Sequence, residues 1–321
     1  MKARLIINPI SGTASKEGLD RYVEDQLGPK GWEIETVYTR CHGDATRLAA
    51  EAADKGYDAV FAAGGDGTVN ETAGALCNRS TALGIIPCGS GNGLARHLGI
   101  TVDIREGVKV LTEHKPMPID YGMVNGRKFF CTFGVGFDAA VSEEFARKKT
   151  RGKLTYIQST FQTYAKFRPE RYTITAGGQT LTEEAFLVAV CNASQYGNNA
   201  YIAPKAVIDD GLLDVTIVHA GNPFSTAIVG FDLLTGMIEK NVLIHTFRTP
   251  SLSITRTSDG PAHLDGEPLR MGERIDIDCH RQSLNVIAPP VPDEVKPFIT
   301  PASAMLKDFY VAVNKLLHPQ L

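Results

Sequence analysis

Residues Ala62 to Asn70 read Ala-Ala-Gly-Gly-Asp-Gly-Thr-Val-Asn. The stretch follows an apolar run, Ala59-Val60-Phe61-Ala62-Ala63, with the length and composition of a buried strand. It leads into Asn70-Glu71-Thr72-Ala73-Gly74-Ala75-Leu76, which reads as a helix. Gly64, Gly65 and Gly67 surround one carboxylate, Asp66, at a strand-to-helix turn. Glycine lets backbone approach a ligand and take positive φ, and the N–H groups at a helix start bind anions. The turn therefore points to phosphate. Asp66 would repel a phosphate directly. It fits if Mg²⁺ lies between them, or if it polarises a water or hydroxyl.

Working outward, residues 3–8 form a first buried strand, stopped by Pro9 and followed by the loop Asn8-Pro9-Ile10-Ser11-Gly12. Lys16 to Leu27 has helical spacing of Leu19, Tyr22, Val23 and Leu27. Trp32 to Tyr38 reads as a strand, and Asp44 is a candidate N-cap for the next helix. Beyond the opening turn come a strand over 82–87, the loop Cys88-Gly89-Ser90-Gly91-Asn92-Gly93, a short helix Leu94–Leu98 and a helix Val102–His114. Strands alternating with helices indicate a parallel sheet, in which ligands bind at the carboxyl ends of the strands. The loops at Asn8, Gly64 and Cys88 all follow strands, so they should converge on one crevice.

The pattern changes near Asp120. Asn125-Gly126 is a strong hairpin signal, and strands are expected at 171–176, 185–191, 213–218, 251–256 and 273–278. Ser142–Phe167 reads as one long helix with a candidate break at Arg151-Gly152. Phe224–Lys240 reads as a second, and Ser303–Leu317 as a third that packs back on the first domain. Lys+Arg 33 against Asp+Glu 36 gives a net charge of −3, which argues against a general nucleic-acid binder. The six scattered cysteines include no C-x-x-C pair, so neither zinc nor a redox motif is suggested. No run approaches the ~18 apolar residues of a membrane span, so a membrane role would be peripheral.

The second glycine loop lacks the lysine of a P-loop and does not fit G-x-G-x-x-G. Taken together, Asn8-Pro9-x-Ser11-Gly12, Gly64-Gly65-Asp66-Gly67-Thr68-x-Asn70-Glu71 and Gly89-Ser90-Gly91-Asn92-x-Leu94-Ala95-Arg96 resemble the catalytic family of diacylglycerol kinases, which includes bacterial lipid kinases and the sphingosine and ceramide kinases. The central motif is shared with NAD kinases and, less closely, phosphofructokinases. The resemblance implies α/β plus all-β architecture. An N-terminal NAD-kinase/phosphofructokinase-like α/β domain would span residues 1–120, with 300–321 packing back on it. A C-terminal β-sandwich over 121–299 would carry the lipid site. It also implies that ATP is held by Asn8, Pro9, Ile10, Ser11, Gly12, Thr39, Gly64, Gly65, Asp66, Gly67, Thr68, Val69, Asn70, Glu71, Gly89, Ser90, Gly91 and Asn92.

Two features of the second domain fit this resemblance. Asp265-Gly266-Glu267 presents a carboxylate at a turn, and a kinase needs a base near the attacking hydroxyl; Glu267 matches the general base of the family. Asp210 and flanking carbonyls could take a hard cation; the resemblance implies a structural Mg²⁺ on Asp210 with the Val207 and Leu212 carbonyls. Asp120 matches an aspartate that organises the magnesium and water network with Asp66. The cluster Arg147, Lys148, Lys149, Arg151 and Lys153 reads either as a solvated helix face or as a contact for anionic headgroups.

The sequence thus predicts an ATP- and Mg²⁺-dependent lipid kinase, cytoplasmic and peripheral to the inner face of the membrane, with diacylglycerol as the expected acceptor. A sphingoid-base or ceramide kinase is the nearest alternative, because Gly-Ser-Gly-Asn resembles the sphingosine kinase form of the second loop. An NAD kinase and a non-catalytic homologue are the others. A homodimer is compatible with the sequence.

Overall fold

The computed structural model describes residues 1–12, 16–89, 91–148, 159–160, 162–164 and 166–291. The chain divides into two compact units. The described residues of the first are Met1–Tyr121, Ile208–Gly211 and 280–291; those of the second fall within Gly122–Val207 and Leu212–Cys279. The expected helix Ser303–Leu317 and the packing of 300–321 lie outside the described residues.

In the first unit β1 (Lys2–Ile7), α1 (Leu19–Leu27), β2 (Glu33–Tyr38), α2 (Asp44–Asp54), β3 (Ala59–Gly64), α3 (Asp66–Leu76), β4 (Ala82–Pro87), α4 (Gly93–His97), α5 (Ile104–Glu113) and the start of β5 (Pro116–Val124) follow in order. The sheet order is β2-β1-β3-β4, and every pairing is parallel. All six residues of β3 and all six of β4 are buried, as expected for strands covered on both faces. Leu5, Ile7, Phe61 and Ile86 pack with Val23 of α1 and Val108 of α5. The Trp32 ring meets Phe61 edge-on at 5.4 Å.

Asp103 caps α5, accepting the N–H groups of Arg105 and Glu106 at 2.7 and 3.2 Å. The cap of α2 differs from expectation. Gly43, at φ 86°, holds the N-cap position, and Asp44 is the first helical residue. Its carboxylate instead accepts Arg40 N–H at 2.7 Å, which closes the preceding turn.

The second unit holds β6 (Arg127–Phe129), β7 (Thr132–Gly136), α6 (Phe137–Arg147), β8 (Glu170–Ala176), β9 (Gln179–Cys191), β10 (Leu213–His219), α7 (Pro223–Thr235), β11 (Ile244–Thr249), β12 (Ser251–Arg256), β13 (Gly260–Leu264), β14 (Glu267–Met271) and the first part of β15 (Arg274–Ile287). Its strands pair antiparallel. β9 is central, with β7, β8 and β10 as partners, and β13 joins β7 to β14. Alternate residues of β9 serve two cores: Val188 and Val190 pack with Phe133, Tyr172 and Ile254, while Leu187, Ala189 and Cys191 pack with Ile202, Val218 and Val229. Asn125 and Gly126, at φ 45° and 78°, make the expected hairpin turn.

The helices of this unit are shorter than the sequence suggests. α6 starts five residues before Ser142 and stops at Arg147, where Lys148 turns extended. Residues 159–160 and 162–164 are helical again, whereas Arg151-Gly152 lies outside the described residues. α7 ends at Gly236, which takes the left-handed C-cap conformation at φ 71°. The last residues of β15 return to the first unit, where Val286 and Ile287 pair in parallel with Leu83 and Gly84 of β4. Segments 208–211 and 280–291, which the sequence reading places in the second domain, thus fall in the first unit.

Candidate active site

In the first unit the loops after β1, β3 and β4 meet. Asn8 Nδ2 donates to Thr68 Oγ1 at 3.0 Å, joining the first loop to the start of α3. Gly12, at φ +65°, lies so close to the third loop that a Cβ there would collide with the Cys88 carbonyl oxygen. The Asp66 carboxylate ties the second loop to the third: Oδ2 accepts the N–H of Asn92 and Oδ1 that of Gly93, both at 2.8 Å. A Cβ at Gly91 would fall 2.7 Å from Asp66 Oδ2, so a larger residue there would have to displace the carboxylate. Asn92 is left-handed (φ 52°) and 3% exposed, and its amide closes a ring on Gly89 through Gly89 N–H at 3.2 Å and Gly89 O at 2.6 Å. Arg96 Nε donates to the Gly91 carbonyl at 2.9 Å.

The structure thus gathers Asn8, Gly12, Asp66, Thr68, Gly89, Gly91 and Asn92 around the N-terminus of α3. Gly64, Gly65 and Gly67 lie on the same turn. Pro9 and Ile10 are exposed on the first loop, and Ser11 donates its hydroxyl to Asn8 O at 3.1 Å. Thr39 follows β2, donating its N–H to Ile7 O at 3.0 Å. Val69 is buried, so its side chain serves the core. Asn70 is half-buried on the second turn of α3. Ser90 lies outside the described residues.

Glu71 has a specific task within the fold. Its carboxylate accepts Gly43 N–H at 2.9 Å and Ala45 N–H at 3.1 Å, satisfying the first turn of α2, and His42 Nδ1 lies 2.9 Å away.

Asp120 is fully buried in β5. Its oxygens accept the N–H groups of Gln282 and Gly211, both at 2.6 Å, and its own N–H donates to Ile208 O at 2.7 Å. One carboxylate thus fastens three chain segments of the first unit. Burial pushes its pKa above the usual carboxylate value; the two amide bonds pull it down, and the charges of Asp210 and Asp209 add to the rise. Asp210 sits in the turn 208–211, while Val207 and Leu212 belong by contact to the second unit. Among the described residues no group of three or more His, Cys, Asp or Glu is arranged to hold a metal.

In the second unit the Asp265-Gly266 turn has φ 50° and 84°, and it pairs Leu264 with Glu267. Asp265 anchors this turn. Its carboxylate accepts three N–H groups, from Phe130, Cys131 and Thr132, at 2.8, 2.7 and 2.8 Å. Glu267 is thereby left exposed at the start of β14 on a fixed turn.

A buried polar group that sequence reading missed stands beneath it. His263 Nε2 is 3.0 Å from Asp138 Oδ2, which also accepts the Tyr196 hydroxyl at 2.8 Å. Gly266 N–H points to His263 Nδ1 at 3.4 Å. That contact makes Nδ1 the acceptor and leaves the proton on Nε2, facing Asp138. The signal for this trio was weak, because three residues far apart in sequence carry no motif.

An α/β unit whose glycine loops meet at the carboxyl ends of its strands and a β unit whose Asp265-Gly266 turn leaves Glu267 exposed are the two features to set beside known proteins. Residues 2–124 match the diacylglycerol kinase catalytic domain, and residues 131–288 match the YegS C-terminal NAD kinase beta sandwich-like domain. The chain is 35% identical to the diacylglycerol kinase of Bacillus subtilis (strain 168) over 227 residues, 69% of this chain and 75% of that one. It is 31% identical to the "Probable lipid kinase YegS-like" of Cronobacter sakazakii (strain ATCC BAA-894), covering 82% and 89%. A crystal structure from Bacillus anthracis str. Sterne, of a protein assigned to the diacylglycerol kinases, aligns at TM-score 0.75 and 26% identity over 90% of this chain and 97% of that one. The chain belongs to the diacylglycerol kinase and YegS-like family of lipid kinases.

Proposed function

We propose that this chain transfers the γ-phosphate of ATP to a lipid hydroxyl, with diacylglycerol as acceptor and phosphatidic acid as product. The observation that carries the reading is the joining of three loops at the carboxyl ends of β1, β3 and β4 through Asn8, Gly12 and Asp66. Backbone N–H groups of the glycine loops and of the first turn of α3 would hold the phosphates. Glu267 would take the proton of the acceptor hydroxyl. The hydroxyl oxygen bonds to the γ-phosphorus, the bond from that phosphorus to the β,γ-bridging oxygen breaks, and ADP leaves.

Mg²⁺ fits the donors present. It binds through one or two carboxylates, waters and substrate phosphates rather than an all-protein cage. Each Asp66 oxygen accepts one N–H and retains a second acceptor site. When bound, Mg²⁺ would neutralise charge on the β- and γ-phosphates. In this reading Asp120 supports the site by fixing β5 against the 208–211 turn, and Asp210 with the Val207 and Leu212 carbonyls would bind a structural cation.

The test is a transfer assay with γ-labelled ATP and Mg²⁺ against diacylglycerol, monoacylglycerol, phosphatidylglycerol, sphingosine, ceramide and NAD. Label in phosphatidic acid is the expected result. Label on sphingosine or ceramide would move the acceptor to a sphingoid lipid. Label on NAD alone, or on nothing, would defeat the proposal.

A further inference from the structure

Glu267 follows a turn that is held from two sides. Asp265 grips the first half by accepting the N–H groups of Phe130, Cys131 and Thr132. His263 reaches the second half, where Gly266 N–H points to its Nδ1 at 3.4 Å. His263 is 1% exposed and Asp138 9%, so neither is a surface group. The neighbouring strand leaves room for the pair: Gly134 stands opposite His263, and a Cβ there would collide with both Asp138 Oδ2 and His263 Nε2.

A neutral imidazole has one N–H and one bare nitrogen. Gly266 N–H can only donate, so it requires a bare Nδ1. The Asp138 carboxylate can only accept, and its Oδ2 lies 3.0 Å from Nε2, so it requires the proton there. Both demands select one tautomer. The Asp138 contact is short and buried, whereas the Gly266 contact is long and half-buried. Asp138 is therefore the group that sets the tautomer. It is itself fixed, since Oδ1 accepts Ala139 N–H and Oδ2 the Tyr196 hydroxyl, both at 2.8 Å.

We propose that His263, locked by Asp138 as the Nε2–H tautomer, is a positioning residue that holds the Gly266-Glu267 turn for phosphate transfer. The inference deepens the proposed function, and only its turnover readout rests on Glu267 as the base. The tautomer and the turn are read separately.

Two substitutions divide the tasks of the ring. In His263→Asn the side-chain oxygen takes the place of Nδ1 and accepts Gly266 N–H, while the donor to Asp138 is lost. In His263→Gln the amide NH₂ reaches Asp138, while no acceptor faces Gly266. Turnover should stay within about threefold of wild type in His263→Asn and fall roughly tenfold or more in His263→Gln, with the KM for ATP unchanged in both. Thermal melting should rank them the other way, because only His263→Asn takes a donor from a buried carboxylate. Asp138→Asn keeps Oδ1 on Ala139 N–H and turns an NH₂ toward Nε2, which moves the ring proton to Nδ1, against Gly266. Its turnover should fall as in His263→Gln.

The deciding measurement is NMR of the full chain labelled with ¹⁵N-histidine, His263 being assigned by its loss in His263→Asn. Nε2 should be protonated in the wild type and Nδ1 in Asp138→Asn. The Gly266 amide should exchange faster in His263→Gln and Asp138→Asn, and at the wild-type rate in His263→Asn. Three results would overturn the proposal: a wild-type ring protonated on Nδ1; an Asp138→Asn ring with the wild-type tautomer; or turnover that follows melting, with His263→Gln above His263→Asn. The expected tautomers and exchange beside a fully active Glu267→Gln would uphold His263 as the holder of the turn and remove Glu267 from the base role.

Discussion

Asp66 Oδ2 accepts the backbone N–H of Asn92 at 2.8 Å across 26 residues of sequence. The carboxylate that reads as a metal organiser is also the clasp of the third glycine loop. Asp66→Asn puts an NH₂ group against a backbone N–H donor and breaks one of the two bonds. The expected result is a loss of about 1–3 kcal/mol in stability together with a fall in turnover of roughly 100-fold or more. Urea unfolding beside steady-state kinetics checks this. A variant that loses turnover at unchanged stability would assign Asp66 to the metal alone.

Asp265 should matter to folding, whatever part Glu267 takes in the proposed transfer. Asp265→Ala removes the carboxylate that accepts three N–H groups, and hydrogen bonds to a charged group contribute about 1.5–3 kcal/mol each. A loss of about 3 kcal/mol or more is expected in denaturant unfolding. Gly266 and Glu267 would lose their fixed turn, so turnover should fall as well. A fully stable Asp265→Ala would show that the turn holds itself.

Asp120→Asn tests the junction of β5 with segments 208–211 and 280–291. The buried carboxylate accepts two N–H groups, and an amide can accept only one of them. The expected destabilisation is about 2 kcal/mol. Because burial raises the Asp120 pKa in the folded state, its ionisation opposes folding as pH rises above the ordinary carboxylate range. The deficit of Asp120→Asn should therefore shrink at higher pH.

His97 gives a pH dependence of opposite sense. It closes α4 directly after the third loop, and burial lowers its pKa from 6.5 to about 4. Below pH 6.5 the unfolded chain takes up a proton that the folded chain refuses until about pH 4. Stability is intact above pH 6.5 and is lost as pH falls through that window, by on the order of 3 kcal/mol at most. His97→Gln should flatten the acid side of the stability curve. An unchanged slope would remove His97 from the acid response.

Much of the fold is legible because it rests on short-range pattern. The runs at 59–63 and 82–87, followed by Gly64 and by Cys88-Gly89, specify buried parallel strands and the glycine loops after them. The hairpin at Asn125-Gly126 follows from two residues that tolerate positive φ. Partner choice is less legible. Nothing local says that Asp66 meets Asn92 and Gly93, or that Glu71 serves the first turn of α2. Nor does the sequence say that Asp265, rather than Glu267, does the anchoring at its turn. Asp138, His263 and Tyr196 share no spacing at all. Helix ends failed where one residue overrode periodicity, as at Gly236, whose left-handed conformation stops α7 although the apolar pattern continues.

The most direct test of the account is Glu267→Gln, assayed with γ-labelled ATP, Mg²⁺ and diacylglycerol in detergent micelles, with ATP binding measured on the same preparations. The account predicts wild-type ATP affinity and a fall of about 100-fold or more in turnover. Near-wild-type turnover in this variant would contradict it.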